Sequence, residues 1–301
     1  MKAKNIIFST IIVFLWASIT VAGKHLLVGT NSLQPIQLAF YRYLLGSIGL
    51  MIILAVKKRI TFPSLRKTRP KKHQLIITTL IIASFPVLLF YGVQKTTAIA
   101  SGILLNANTI FIAILSIIIL KEKISTIQVT GIIIAFTGVI MILINEGDIT
   151  SLLITSRQAI IGDLLALASG MVWAIFTITL KAWFQKTDPL EIMTYSITSA
   201  TIIILLITVT TSTIRIPLTK GTITLLALLG IGATSIAFYL YLIILQEETA
   251  TITGTIQLAV PVLGTILSVI FLKEMLSILS ITGIILVLYG LYLSTKTNSN
   301  K

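Results

Sequence analysis

The chain has 301 residues, 56% hydrophobic and only 11% charged, with a mean hydropathy of +1.04 and a formal net charge of +14. That is more apolar material than a soluble domain of this length can cover with polar surface, so the protein belongs in a membrane. Zero cysteines exclude disulfides, thiolate catalysis and cysteine-based metal or cluster sites, and two histidines without an H-E-x-x-H motif leave no plausible zinc site.

Ten apolar runs follow one another, at residues 5–23, 35–56, 75–93, 98–120, 126–144, 160–180, 190–210, 222–245, 250–272 and 278–293. As helices they can each cross roughly 30 Å of hydrocarbon. The predicted class is an all-α integral membrane protein of ten transmembrane helices. Lys2 and Lys4 flank the first run as they would a signal peptide, but no small-residue cleavage site follows, so the run is expected to stay in the protein.

The first run carries Trp16-Ala17, Thr20 and Lys24, spaced to stack along one helix face. The second carries Phe40-Tyr41-Arg42-Tyr43, with Arg42 roughly 12 Å from the helix start at about 1.5 Å per residue. An arginine at that depth must pair, snorkel or face water. It serves either a structural pair, with Asp163 the best acid by depth, or recognition of a substrate carboxylate. Between the second and third runs lie Lys57, Lys58, Arg59, Arg66, Lys67, Arg69, Lys71 and Lys72. A cluster confined to one loop fixes topology and attracts anionic lipid rather than nucleic acid, and it puts both termini in the cytoplasm of a plasma-membrane protein.

In the third run Pro86 frees the carbonyl of Ile82, beside Ser84, and Tyr91 lies farther along. The fourth carries Ser101, Gly102, Asn106 and Asn108, whose amides need either interhelical partners or a solute. The sixth repeats the first, with Trp173-Ala174, Thr177 and Lys181. Facing indoles near the midplane can grip an apolar or cationic group or simply fill volume, while Lys24 and Lys181 are expected to snorkel to opposite interfaces. In the eighth, Tyr239 and Tyr241 line a cavity or join an interfacial belt. In the ninth, Pro261 frees the carbonyl of Gln257, and Gly254, Gln257, Gly264 and Ser268 share its face. Either proline can also serve only a packing kink. The candidate substrate-binding residues are therefore Trp16, Thr20, Arg42, Ser84, Tyr91, Asn106, Asn108, Trp173, Thr177, Tyr239, Gln257 and Pro261. No catalytic, metal or cofactor site is expected.

The recurrence is not confined to the tryptophans. Thr97-Ala98, Gly102, Ser116, Leu120-Lys121-Glu122 and Thr130-Gly131 return as Thr249-Ala250, Gly254, Ser268, Leu272-Lys273-Glu274 and Thr282-Gly283. The chain is a duplicated unit, one copy over residues 1–147 and one over 158–296. Five crossings per copy, an odd number, insert the second upside down, an arrangement that supports alternating access.

These residues, in this order, resemble the drug/metabolite transporter superfamily of EamA type: Trp16-Ala17-Ser18 to Lys24, Phe40-Tyr41-Arg42-Tyr43-Leu44, Thr97-Ala98 to Leu120-Lys121-Glu122, Gly162-Asp163-Leu164, Trp173-Ala174, Asp188-Pro189-Leu190, and Thr249-Ala250 through Pro261 to Glu274. The resemblance spans nearly the whole chain and implies two five-helix repeats that move small organic solutes such as amino acids, metabolites or amphiphiles. Thr109 stands where that family usually has proline. The expected protein is a secondary transporter, with export the expected direction, present as a monomer or weak homodimer. An exchanger of nucleotide sugars or phosphorylated metabolites is the alternative within transporters, and a structural or sensing membrane protein the alternative outside them. An enzyme is not expected. With no Asp or Glu at the centre of a span, the chain is expected to work by facilitated transport or exchange, or to couple protons through Asp163.

Overall fold

A computed structural model describes residues 3–27, 32–58, 61–96, 98–145, 157–211, 219–272 and 277–295; within them the side chains of 20, 21, 24, 98–100, 145 and 267–272 are not described. Helices α1 (Ala3–Leu27), α2 (Pro35–Val56), α3 (Lys72–Lys95), α4 (98–120) and α5 (Thr126–Asn145) form the first half of the bundle. Helices α6 (Arg157–Trp183), α7 (Pro189–Thr211), α8 (Lys220–Glu247), α9 (250–272) and α10 (Ile278–Thr295) form the second. Eight are long and apolar enough throughout to cross a bilayer, and α1 and α9 contribute the shorter apolar stretches Ala3–Ile19 and Ala250–Ile266. The described residues thus form ten membrane helices, and the chain is an all-α membrane protein. No strand occurs among the described residues.

Local chemistry explains where the helices start and stop. Pro35 opens α2 at a position where its missing amide costs nothing. Thr249 caps α9 by accepting from the Ile252 amide, and Asp188 Oδ1 accepts from the Leu190 amide at the start of α7. Helix α4 is interrupted at Ala107 and widens into a π-helical turn over Ser116–Leu120, which Lys121 ends in the left-handed region at φ 56°.

The packing repeats across the two halves. Contact of α1 with α8 is matched by α6 with α3, α2 with α8 by α7 with α3, and α1 with α9 by α6 with α4. The pairs α2/α7, α4/α9 and α5/α10 map onto themselves, as two inverted five-helix repeats require. Glycine permits the closest approaches. A Cβ at Gly290 would lie 2.4 Å from both the Gly131 carbonyl oxygen and the Ala135 amide, so α5 and α10 touch backbone to backbone.

A short helix, Pro63–Thr68, sits in the basic connection between α2 and α3, which the sequence leaves as a loop. Its Ser64 and Leu65 amides donate to the fully buried Glu191 carboxylate of α7, at 3.1 and 2.9 Å. The acid neutralises the helix N-terminus and fixes the basic loop against the bundle.

Candidate functional site

Ten crossings return the chain to its starting side, the near side; the bundle is closed there and hollow beyond its middle. A cavity of about 200 Å³ is walled by α1, α3, α4, α6, α8 and α9, with Arg42 from α2 and Leu143 from α5. Its lining residues on α1 (Trp16 to Gly23), α3 (Phe85 to Val93), α4 (Ser101 to Asn108) and α9 (Gln257 to Gly264) all lie in the middle or far parts of those helices.

Aromatic side chains form much of the cavity wall. Trp16 and Trp173 meet edge to face, their centroids 5.5 Å apart at 87°, and Phe238 and Tyr241 complete the cluster at 5.0 and 5.4 Å from Trp173. Trp16 Nε1 donates to the Ala233 carbonyl at 3.2 Å, within the π-helical stretch Leu228–Ile236 of α8. The indole is thus fixed through backbone that a regular α-helix would use internally.

A polar ladder joins α4 to α9. At the cavity floor Asn108 Nδ2 donates to Gln257 Oε1 at 2.9 Å, and Thr109 Oγ1 reaches the Gly254 carbonyl at 3.2 Å. Nearer the near side, Ser116 and Thr251 hydroxyls pair at 2.9 Å. At the end, Glu122 accepts from the Ala250 amide at 2.7 Å and from the Thr251 amide and hydroxyl. A carboxylate from the first half therefore caps a helix of the second. On the far side of Asn108 the two helices instead present Ser101 and Asn106, and Pro261 and Gly264, to the cavity.

Further bonds close the near side. Lys181 Nζ donates to the Leu245 and Glu248 carbonyls at 2.6 and 2.7 Å, so it terminates α8 rather than snorkelling free. Lys4 pairs with Glu247 at 2.6 Å, and Asn5 donates to Glu248 at 3.0 Å.

Arg42 is the charged residue of the cavity wall among the described residues. Its Nε donates to Thr234 Oγ1 at 2.9 Å, and the guanidinium lies 5.9 Å from the Phe90 ring and 5.8 Å from Phe238. The expected pair with Asp163 does not form, because Asp163 accepts instead from the Thr96 hydroxyl. Residue counting puts the two at one depth, but Asp163 meets Thr96 just past the end of α3, whereas Arg42 faces Phe90, six residues earlier.

The structure brings Trp16, Arg42, Asn106, Asn108, Trp173, Gln257 and Pro261 to the cavity. Ser84 turns back onto the Ile81 carbonyl, and Tyr91 packs half-buried beside the core without lining the cavity. Thr177 lies behind the wall, its hydroxyl 3.2 Å from that of Tyr241. Tyr239 points to the near side, where Lys57 donates to it at 2.8 Å. The Thr20 side chain lies outside the described residues, as do Lys24 and Ser268. Neither carbonyl freed by a proline awaits a ligand. Ile82 O accepts from the Tyr43 hydroxyl at 3.1 Å, and Gln257 O accepts from the Val260 amide through the 3₁₀ turn Ile256–Ala259. Phe85, Phe90 and Phe238 also line the cavity and are not among the residues the sequence puts forward as candidates, since a phenylalanine in a uniformly apolar helix gives little contrast to read.

An aromatic cavity with a few polar groups, walled by helices from both halves of a ten-helix membrane bundle, is the arrangement expected of a membrane transporter. The EamA-like transporter family model matches residues 3–144 and again 160–296, and the chain belongs to that family. It is 25% identical over 300 residues to an uncharacterized transporter of Archaeoglobus fulgidus, covering 98% of each chain. It is 26% identical over 297 residues to one of Clostridium kluyveri, covering 98% of this chain and 94% of that one. It is also 22% identical over 291 residues to the uncharacterized transporter YoaV of Bacillus subtilis, covering 96% of each. A crystal structure of a protein 16% identical to this one shares the fold, with a TM-score of 0.81 and 98% of each chain covered.

Proposed function

We propose that this protein is a secondary transporter that carries small organic solutes across the plasma membrane by alternating access, in the direction of export, with both termini in the cytoplasm. The observation that carries the reading is the α4/α9 pair, joined from Asn108/Gln257 to Glu122/Thr251 on the near side and lined by cavity beyond it. Residues 1–147 and 158–296 act as the two inverted repeats, so exchanging their conformations closes the far side and opens the near one. The Lys and Arg residues of the α2–α3 connection support a cytoplasmic near side.

At about 200 Å³ the cavity is smaller than the roughly 300–1,000 Å³ of drug-sized sites, which favours a small metabolite. An exchanger of nucleotide sugars would need several cationic groups, whereas the described wall offers Arg42 alone. The test is uptake into proteoliposomes of amino acids, phosphorylated sugars and lipophilic cations, with inside-out and right-side-out protein distinguished. Flux of at least one class, reduced by about tenfold in Gln257→Ala, is the expected result. Absence of flux for every class in both orientations would refute the reading.

A further inference from the structure

We infer that the cavity is an anion site in which Arg42 selects solutes that join a carboxylate to a compact apolar body, and that it turns cations away. This deepens the transporter reading and rests on it for the claim that the bound solute moves.

The first observation is an arginine held in place with its strongest donors unused. Arg42 is fully buried, its Nε is committed to Thr234, and neither Nη1 nor Nη2 has a hydrogen-bond partner among the described residues. Thr234 is itself anchored, donating to the Leu229 carbonyl at 3.0 Å, so the guanidinium plane is set by the α8 backbone. A charge at membrane depth normally meets an acid or carbonyls. Here the nearest compensation is the faces of Phe90 and Phe238, which attract the cation but satisfy no N–H. A carboxylate would accept two parallel N–H bonds from this fork, the geometry in which guanidinium and carboxylate match best.

The second observation concerns sign. The described cavity wall includes no Asp or Glu, so nothing there neutralises an ammonium, and a cation entering it meets Arg42 uncompensated. The third is the remainder of the wall. Trp16, Trp173 and Phe85 supply apolar surface for a hydrocarbon or aryl group, whereas the Asn108 and Gln257 amides are occupied by each other, by the Thr109 hydroxyl and by Tyr241. Phe90 and Phe238 pack against the guanidinium and also line the cavity, as Arg42 itself does, so Nη1 and Nη2 lie against the space a solute would fill.

The test varies charge at constant shape. Phenylpropionate, phenylpropionamide and phenylpropylamine are offered to the purified full-length protein, with binding read by quenching of tryptophan fluorescence and flux read in proteoliposomes. The acid is expected to bind at least about tenfold more tightly than the amide or the amine. Arg42→Gln should reduce the acid to the level of the amide, and Arg42→Lys should retain part of the preference. Equal binding of the amine or amide to the unmodified protein would overturn the inference, as would an acid preference that survives Arg42→Gln. The charge series needs no variant, so poor folding of Arg42→Gln leaves the inference open to refutation. Flux without charge preference would defeat the anion site and keep the transporter. Arg42-dependent binding without flux would do the reverse.

Discussion

The near and far halves of the α4/α9 pair are built from opposite materials. On the near side cross-links recur along the pair: the Asn108 amide, the Thr109, Ser116 and Thr251 hydroxyls, and the Glu122 carboxylate on the α9 amides. On the far side the same helices carry Ser101, Gly102, Pro261 and Gly264 along a cavity. Closure therefore adds directional hydrogen bonds, each with a defined partner, to apolar packing such as Ile112 of α4 against Gly254 of α9. A transporter needs such contacts to be breakable, because two states must lie within a few kcal/mol of each other.

Glycine draws the same contrast more sharply, and its largest consequence is at α5/α10. Gly290→Val would drive a branched side chain into the backbone of Gly131 and Ala135, where a Cβ alone comes within 2.4 Å and neither neighbour can rotate away. The expected cost is about 3 kcal/mol or more. Thermal unfolding in detergent should show a lower Tm, and a Tm within about 2 °C of the parent would mean that the α5/α10 seam can open to admit a side chain.

Next in size is the carboxylate that closes the ladder. Glu122→Ala leaves the buried Ala250 and Thr251 amides at the start of α9 without their acceptor, a loss of roughly 1–3 kcal/mol from the closed near side. The absence of native cysteine makes this readable. In a Thr253→Cys background, where the parent side chain is fully buried, a membrane-impermeant maleimide applied from the near side should label about tenfold faster once Glu122 is gone. Unchanged labelling would show that the ladder does not hold the near side shut.

Much of this fold is legible as hydropathy. The runs 126–144 and 278–293 end within a residue or two of α5 (Thr126–Asn145) and α10 (Ile278–Thr295), because a bilayer imposes one length on every span. The repeat was legible too, but not what its pieces do. Leu120-Lys121-Glu122 is visible as a motif, whereas only the structure places its acid on the opposite repeat's helix. Depth could be computed from residue counting and direction could not. Trp16, Asn108 and Gln257 accordingly lie at the cavity while Ser84 and Tyr239 lie elsewhere, and Arg42, counted to the same depth as Asp163, faces Phe90 while Asp163 meets Thr96. Neighbours two apart on a helix face different ways, so Tyr239 reaches Lys57 and Tyr241 joins the tryptophans.

The smallest expected effect completes the contrast. Gly264 lies on the cavity wall, and a Cβ there would meet nothing within 4 Å. Gly264→Ala should therefore change stability by no more than about 0.5 kcal/mol, since it neither clashes nor uncovers a polar group. What it removes is free volume where a solute would sit, so binding or flux of the largest accepted solutes should fall a few-fold while unfolding stays put. The two glycines separate frame from cavity: one substitution tests packing with little reference to transport, and the other tests transport with little reference to packing. If Gly264→Ala destabilised the protein as much as Gly290→Val, the far half would be packed like the near half, and the asymmetry of α4 and α9 would lose its meaning.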